Sequence, residues 1–338
     1  MATTIKDIAR ITGTSISTVS KALNGGNVLE PKRTEILNAA KELNYKANPI
    51  ARGMKTKRTR TVGVLIPNLE DFYGVSILAQ VSKCMYEYDY STIVCDYQFV
   101  NETDTNIAEK INFLMNYCVD GIIVQPVSVK SEDLAVARNA NIPVVFVDVE
   151  DKDNYHDSVV IDNKKVAYEI TSQFIENGHK QIAIITGGSG ASTNDDRIEG
   201  YRAAHLDNGL SVIPDYVYKE DIVNEESGYR GMEKFMRLDN PPTCVFAAGH
   251  DLMTGALTYI SENNISIPED VSFIGFENRE LARVFNPRLT IGMQPMDEIA
   301  KMASELLYMR MTGDKGVARK RKVNTVIEYG NSVKKLEE

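Results

Sequence analysis

TSISTVSKALNGG, residues 14–26, decides how the N-terminal part of this chain is read. Ser15 is placed to cap a helix, Val19, Ala22 and Leu23 fall on one apolar stripe of it, and Asn24-Gly25-Gly26 supplies a left-handed stop. At about 100° per residue, the other side carries Ile16, Ser17, Ser20 and Lys21, a set suited neither to a core nor to an ordinary charged surface. Upstream, Thr4 and Asp7 have capping-box spacing for a helix Ile5–Ile11 with Ile5, Ile8 and Ala9 on one stripe, which Gly13 breaks. Downstream, Pro31 stands as a first-turn proline before Ile36, Leu37, Ala40 and Leu43 at helical spacing. Two short helices joined by a tight glycine-containing turn, with a third across them, form a helix-turn-helix. In that motif the second helix enters the major groove, and short side chains at its start let the backbone approach base edges. Lys21 suits guanine or phosphate, the serine hydroxyls donate or accept, and Ile16 suits a thymine methyl. The competing reading is an amphipathic helix of a small protein-binding domain.

Charge separates the same segment from the rest. The chain of 338 residues carries a net charge of -9, yet residues 1–60 hold 12 Lys and Arg against Asp7, Glu30, Glu35 and Glu42, a balance of +8, leaving -17 for the remainder. A basic head on an acidic body fits nucleic-acid binding at one end. A solvated charged tail is the alternative, but tails lack this apolar periodicity. In MATTIKDIAR, Lys6, Asp7 and Arg10 interrupt the stretch where a signal peptide needs apolar residues, and no apolar run is long enough to span a membrane. A cytoplasmic address is expected. Cys84, Cys95, Cys118 and Cys244 form no CxxC pair and read as buried free thiols.

After the headpiece comes NPIARGMKTKRTR, residues 48–60, a cap and first-turn proline followed by only about two turns before a basic run. A helix that short does not stand alone in water, and Gly53 weakens it by about 1 kcal/mol relative to alanine. It reads as a linker in the free protein. From Thr61 onward, TVGVLI, STIVCD, GIIVQP, VVFVD, SVVID, QIAIIT, TCVFAA and VSFIGF read as strands. Amphipathic stretches such as 103–117, 164–177 and 197–208 lie between them. Near-continuous apolar strands alternating with helices mean parallel sheets covered on both faces. The segment is large for one sheet, so two lobes are expected, with ligand at the carboxyl ends of the strands, in the cleft between them.

TIKDIARITGTSISTVSKALNGG, LNYKANPIARGMK, TVGVLIPN, CVDGIIV, VVIDN, IENGHKQIAIITGG, RIEGYRAA, IPEDVSFIGFEN and MQPMDEIAKMASELL follow in the order of the lactose/galactose repressor (LacI/GalR) family, which the chain resembles from Thr4 to about Tyr329. TVSKALNGG and IPEDVSFIGFEN are the specific motifs. The resemblance implies an all-α helix-turn-helix headpiece (residues 1–47), a hinge helix and linker (48–60), and a periplasmic-binding-protein-like α/β core of two doubly wound parallel-sheet lobes. The lobes would comprise residues 61–162 with 291–324, and 163–290 with 325–338. It implies a homodimeric transcriptional regulator on a palindromic operator, controlled by a small molecule, a sugar or sugar derivative, in the interlobe cleft. Ile16, Ser17 and Lys21 look like its major-groove readers, with Ser15, Thr18 and Ser20 near phosphate. Thr4, Asn24, Asn48, Ala51, Arg52 and Lys55 complete the implied DNA-binding set. Met54 falls where the family places a leucine that wedges into the minor groove, and an apolar methionine serves there. Gly53 departs from the usual small helix former and predicts a costlier hinge-folding step. The sign of the ligand effect stays open, and a phosphoprotein co-regulator is a further partner the resemblance allows.

Arg197 in NDDRIEGYR aligns with an arginine that relatives set against sugar hydroxyls or effector carboxylates, chemistry a guanidinium fork suits. Its plain alternative is a surface arginine at a helix start, paired with Asp195 or Asp196. Glu277 stands where the family carries aspartate. Asp148 closes VVFVD as an effector acceptor or a helix cap. Phe72 and Tyr73 occupy the place of ligand-stacking aromatics, and His250 and Asp251 either line the cleft or cap the following helix. An enzyme is the rival class. GGSGA, residues 187–191, misses GxSxG at its last position, no nucleotide-binding glycine motif is present, and His156, His179, His205 and His250 have no metal-ligand spacing, so no catalytic residue, cofactor or metal is assigned. A cytoplasmic sugar-binding protein and a phosphoprotein-dependent catabolite regulator of the same fold are the remaining alternatives. With no heptads after Tyr329, a dimer is expected rather than a tetramer.

Overall fold

The computed structural model describes residues 3–45, 58–69, 72–97, 106–125, 132–188 and 192–337. The chain divides into an N-terminal unit and a core that begins at Thr61.

In the N-terminal unit, α1 (Ile5–Ile11), α2 (Ile16–Leu23) and α3 (Lys32–Glu42) close on a core of Ile8, Ala9, Val19, Ala22, Ile36, Ala39 and Ala40. The capping signals act as their chemistry requires. Asp7 accepts from the backbone N–H of Thr4 at 2.9 Å, and Ser15 Oγ accepts from the Thr18 N–H at 3.1 Å. At the end of α2, Gly25 takes φ +74°, which lets the Gly26 N–H return to Lys21 O at 2.8 Å and satisfies a terminal carbonyl. Two details differ from the sequence reading. Pro31 caps α3 from just outside it, and Leu37 is 42% exposed because Ile36, Ala39 and Ala40 face the core instead.

In the core, β1 (Thr61–Ile66), α4 (Phe72–Glu87), β2 (Ser91–Asp96), α5 (Ile107–Asn116), β3 (Gly121–Val124), α6 (Ala135–Asn139), β4 (Val144–Val147) and β5 (Asp157–Ile161) build the first lobe. The chain crosses to α7 (Asn163–Glu176), β6 (Ile182–Gly187), α8 (Ser192–Asp207), β7 (Val217–Glu220), α9 (Glu225–Met236), β8 (Cys244–Ala247), α10 (His250–Glu262), β9 (Ser272–Phe276), α11 (Arg279–Val284) and β10 (Thr290–Met293). It returns through α12 (Met296–Met311) and β11 (Lys320–Val323), then crosses again to β12 (Val326–Glu328). The strand orders are β2-β1-β3-β4-β5-β11 and β7-β6-β8-β9-β10-β12, parallel throughout except where β12 runs against β10. The chain is therefore a helix-turn-helix headpiece plus an α/β core of two doubly wound lobes. Each sheet reverses its order at one point, between β1 and β3 and between β6 and β8, and such switch points open a crevice at the carboxyl ends of the strands.

All eight apolar runs form strands. The four short strands the sequence did not signal lie towards the sheet edges, and KRKV of β11 and VIE of β12 need only one partner strand. The expected crossover at residue 291 falls inside β10, which pairs with β9 and β12; the chain leaves the second lobe only after Met293. α8 starts at Ser192, five residues ahead of Arg197, so Arg197 lies inside the helix. The C-terminal segment is sewn to the second lobe. Ser332 donates to Phe273 O at 2.5 Å, the Lys334 N–H to Ser272 Oγ at 2.9 Å, and the Leu336 N–H to Asn177 O at 2.9 Å. Of the four free thiols, Cys95 and Cys244 are buried, but Cys84 is half-buried and Cys118 exposed, since it sits in the left-handed turn after α5 at φ +55°.

Candidate functional site

Two constellations carry the chemistry, one in each unit. On α2, burying Val19 and Ala22 against α1 and α3 turns Ile16, Ser17 and Lys21 outward, and Ile16 is left 47% exposed. Ser20 is half-buried and its backbone carbonyl and hydroxyl accept from Asn24 Nδ2 at 2.7 and 3.5 Å. Ser15 and Thr18 share a hydroxyl hydrogen bond of 2.8 Å in addition to the cap, and the Thr4 hydroxyl donates to Asp7 at 2.7 Å. These three hydroxyls shape the helix ends, whereas Ser17 and Lys21 stand clear of such roles. Asn48, Ala51, Arg52, Met54 and Lys55, along with Gly53, lie outside the described residues.

The second constellation is built between the lobes. Arg197 is 7% exposed, with Nε donating to Asn163 Oδ1 at 2.8 Å and Nη1 to Ala248 O at 2.7 Å. Its guanidinium lies 4.3 Å from the ring centre of Phe276, a cation over an aromatic face. Burial pushes its pKa below the ordinary arginine value, and the charges of Glu277, Asp148 and Asp196, with Tyr73, pull it back. The surface-arginine alternative is therefore excluded. Its placement depends on Gly200, one turn on, where a Cβ would stand 2.1 Å from Lys164 O; only glycine lets α8 lie this close to α7 and bring Arg197 to Asn163.

Glu277 follows β9 at φ +67°, is 7% exposed and accepts from Gln294 Nε2, a residue on the second crossover. Asp148 follows β4 at φ +74° with its N–H on Val159 O at 3.0 Å, and no helix starts there, so capping is excluded. Phe72, at the start of α4 in one lobe, stacks on His250, at the start of α10 in the other, with centroids 4.4 Å apart and planes 13° off parallel. Tyr73 is buried beside Arg197. Gly249, not His250, caps α10; Asp251 sits in its first turn, 3.9 Å from His250 Nε2. Neighbouring Asp196 is held above the ordinary carboxylate range by burial and by the charges of Glu199 and Asp162.

Arg197, Glu277, Asp148, Tyr73 and the Phe72–His250 stack thus meet from both lobes. Asn163 and Gln294 complete the set and were not singled out in the sequence, although VVIDN and MQPMDEIA contain them. A lone amide has no signature until its partner is known. Gln125 after β3 and Thr186 in β6 add buried Oε1 and Oγ1 atoms with no hydrogen-bond partner among the described residues, beside the two switch points. Among the described residues no group of His, Cys, Asp or Glu is arranged to hold a metal ion, and no helix is long and apolar enough to cross a membrane.

Comparison with known proteins matches this division. Residues 4–48 fit bacterial regulatory proteins of the lacI family, and residues 171–333 fit a periplasmic binding protein-like domain. The HTH-type transcriptional regulator RegA of Clostridium saccharobutylicum is 35% identical over 309 residues, covering 91% of this chain and 92% of its own. The HTH-type transcriptional repressor PurR of Actinobacillus pleuropneumoniae is 31% identical over 313 residues, 92% of each. In fold, the lac repressor dimer bound to operator and the anti-inducer ONPF superimposes with a TM-score of 0.86 at 20% identity, covering 99% of this chain and 100% of that one.

Proposed function

Because the chain belongs to the lacI family of bacterial regulatory proteins, transcriptional regulators with a DNA-binding and a ligand-binding domain, we propose that it is a repressor that grips a palindromic operator as a homodimer and is controlled by a carbohydrate-like effector held between its lobes. The observation that carries the reading is the two-sidedness of α2, where Ile16, Ser17 and Lys21 are presented while Val19 and Ala22 are buried. Lys21 supplies phosphate or guanine contact, Ser17 a donor and acceptor, and Ile16 an apolar contact. Thr4, Ser15, Thr18, Ser20 and Asn24 hold the helices in the posture that makes those contacts. Two headpieces on two half-sites read inverted repeats because protein and DNA share a two-fold axis.

Support for the effector comes from chemistry. Glu277 and Asp148 are acceptors for hydroxyl groups, and Arg197 is a fixed donor in a site of low dielectric. Phe72 and His250 present an aromatic face to a ring. The ligand contacts both lobes, so it changes operator affinity by as much as its affinities for the two lobe arrangements differ. A planar heteroaromatic effector is the second reading, favoured by the near-parallel Phe72–His250 pair, a stack that a flat ring would lengthen.

Selection of duplexes from a random pool by the full-length protein, at low and high salt, tests the DNA half. An enriched inverted repeat whose affinity falls with salt is expected. Enrichment of nothing, at either salt and with any small molecule supplied, sinks the proposal. Thermal-shift screening against sugars, sugar phosphates, nucleosides and purines tests the effector half, since a ligand of the native state raises apparent stability by mass action.

A further inference from the structure

We propose that the Phe72–His250 stack is a latch which the chain carries between its own lobes, poised so that neither lobe arrangement is locked. Both rings belong to the chain, so the contact needs no ligand atom to form. Each ring rides on a helix anchored in its own lobe. Phe72 opens α4, which buries Tyr73, Ile77, Val81 and Met85, and His250 opens α10, which buries Leu252, Met253 and Ala256. Single chain segments join the lobes after Ile161, Met293 and Val323, so a rotation about these crossovers parts the rings. The stack is made in one arrangement of the lobes and lost in any that separates α4 from α10.

Two opposing contributions meet in it. Face-to-face contact, with centroids 4.4 Å apart and planes 13° off parallel, favours the closed arrangement by roughly two- to tenfold. Against it stands His250 Nδ1, which is buried and has no hydrogen-bond partner among the described residues. The other ring nitrogen, Nε2, is 3.9 Å from Asp251, beyond hydrogen-bonding distance. A buried polar atom left unpaired disfavours the arrangement that buries it by roughly fivefold or more. Separating the lobes uncovers the ring and lets water reach it. Histidine thus makes the latch and keeps it from locking, whereas phenylalanine at the same position would only make it. With both arrangements populated, a ligand shifts operator affinity according to its preference for one of them. That consequence rests on the reading of the chain as an operator-binding regulator controlled from the cleft.

The sequence contains no tryptophan, so Phe72→Trp places a lone fluorescent reporter in the stack of the full-length protein. Acrylamide quenching, without DNA or ligand, is expected to find the reporter partly shielded. Adding His250→Ala makes it more accessible, and adding His250→Phe makes it less accessible. The second arm measures affinity for the operator recovered by duplex selection. Phe72→Ala removes the stack, while His250→Phe keeps it and removes the stranded nitrogen. The two are expected to shift operator affinity in opposite directions, by about two- to tenfold for the first and about fivefold for the second. Phe72→Tyr, which keeps the ring, is expected to match the parent, and so separates loss of the latch from loss of fold. The proposal is overturned if quenching of the reporter is unchanged by His250→Phe, or if Phe72→Ala and His250→Phe shift operator affinity in the same direction or not at all. If the parent binds no duplex, the operator reading falls, and the quenching comparison alone decides the latch.

Discussion

Replacing Arg197 by methionine tests whether the interlobe site is an electrostatic unit rather than a set of neighbours. The variant removes two hydrogen bonds of a buried cation, to Asn163 Oδ1 at 2.8 Å and Ala248 O at 2.7 Å, and the contact over Phe276. It also leaves Glu277 and Asp148 without the positive charge between them. Hydrogen bonds to charged groups contribute about 1.5–3 kcal/mol each, and taking a compensating cation away from the buried Glu277 carboxylate adds to that. The contributions overlap, so a loss of about 3–5 kcal/mol in core stability is expected. Because Arg197 is 7% exposed, solvent does not screen the loss. Urea unfolding of the full chain, followed by circular dichroism, reads it. The decisive comparison adds Glu277→Gln. If the cost is mainly a stranded carboxylate, the double variant is more stable than Arg197→Met by about 1–2 kcal/mol. A single-variant loss below about 1 kcal/mol, or a second substitution that only adds to the loss, refutes the reasoning.

Four other outcomes follow from the same structure. Ser15→Ala removes the cap of α2 and should cost the headpiece about 1 kcal/mol, read as earlier proteolytic cleavage within residues 3–45 while the core resists; unchanged cleavage counts against the capping role. Gly200→Ala drives a methyl towards Lys164 O and should destabilise the core by about 1–3 kcal/mol, with a lower thermal midpoint. Lys21→Ala should weaken the selected operator and, if Lys21 binds phosphate, reduce the slope of log affinity against log salt by about 0.9, while relaxed base preference at an unchanged slope would make Lys21 a base reader. Burial holds His156, His179 and His205 below the ordinary imidazole value of 6.5. The unfolded chain then binds protons first, so stability is full above that value and falls as pH drops towards the depressed folded values; a urea midpoint that rises as pH is lowered from about 7.5 to about 5.5 contradicts this.

How far each feature could be read in advance depended on the range of its cause. The α2 cap, its glycine stop and its two faces arise within about ten residues of chain, and helical periodicity alone separates Val19 and Ala22 from Ile16, Ser17 and Lys21. The eight strands that form were legible because burial on both faces demands unbroken apolar runs, as in GIIV and VVFV. KRKV and VIE carry no such demand, since an edge strand is held by one neighbour's backbone whatever its side chains. The crossover after Met293 was misplaced for a related reason: TIGM takes its lobe from pairing with β9 and β12.

The candidate site divides in the same way. Residue order alone determined that a basic helical head precedes an acidic α/β body, and the family pattern marked Arg197, Glu277 and Asp148 as candidates. Only tertiary structure decided that Arg197 is buried, that Asn163 and Ala248, 85 positions apart, accept its hydrogen bonds, and that Gln294 reaches Glu277. It also brought Phe72 onto His250, 178 positions apart. Local structure follows from hydrogen bonds and side-chain periodicity over a few residues, whereas a buried charge is defined by what removes water from it. Here that is the meeting of two lobes whose chain crosses three times.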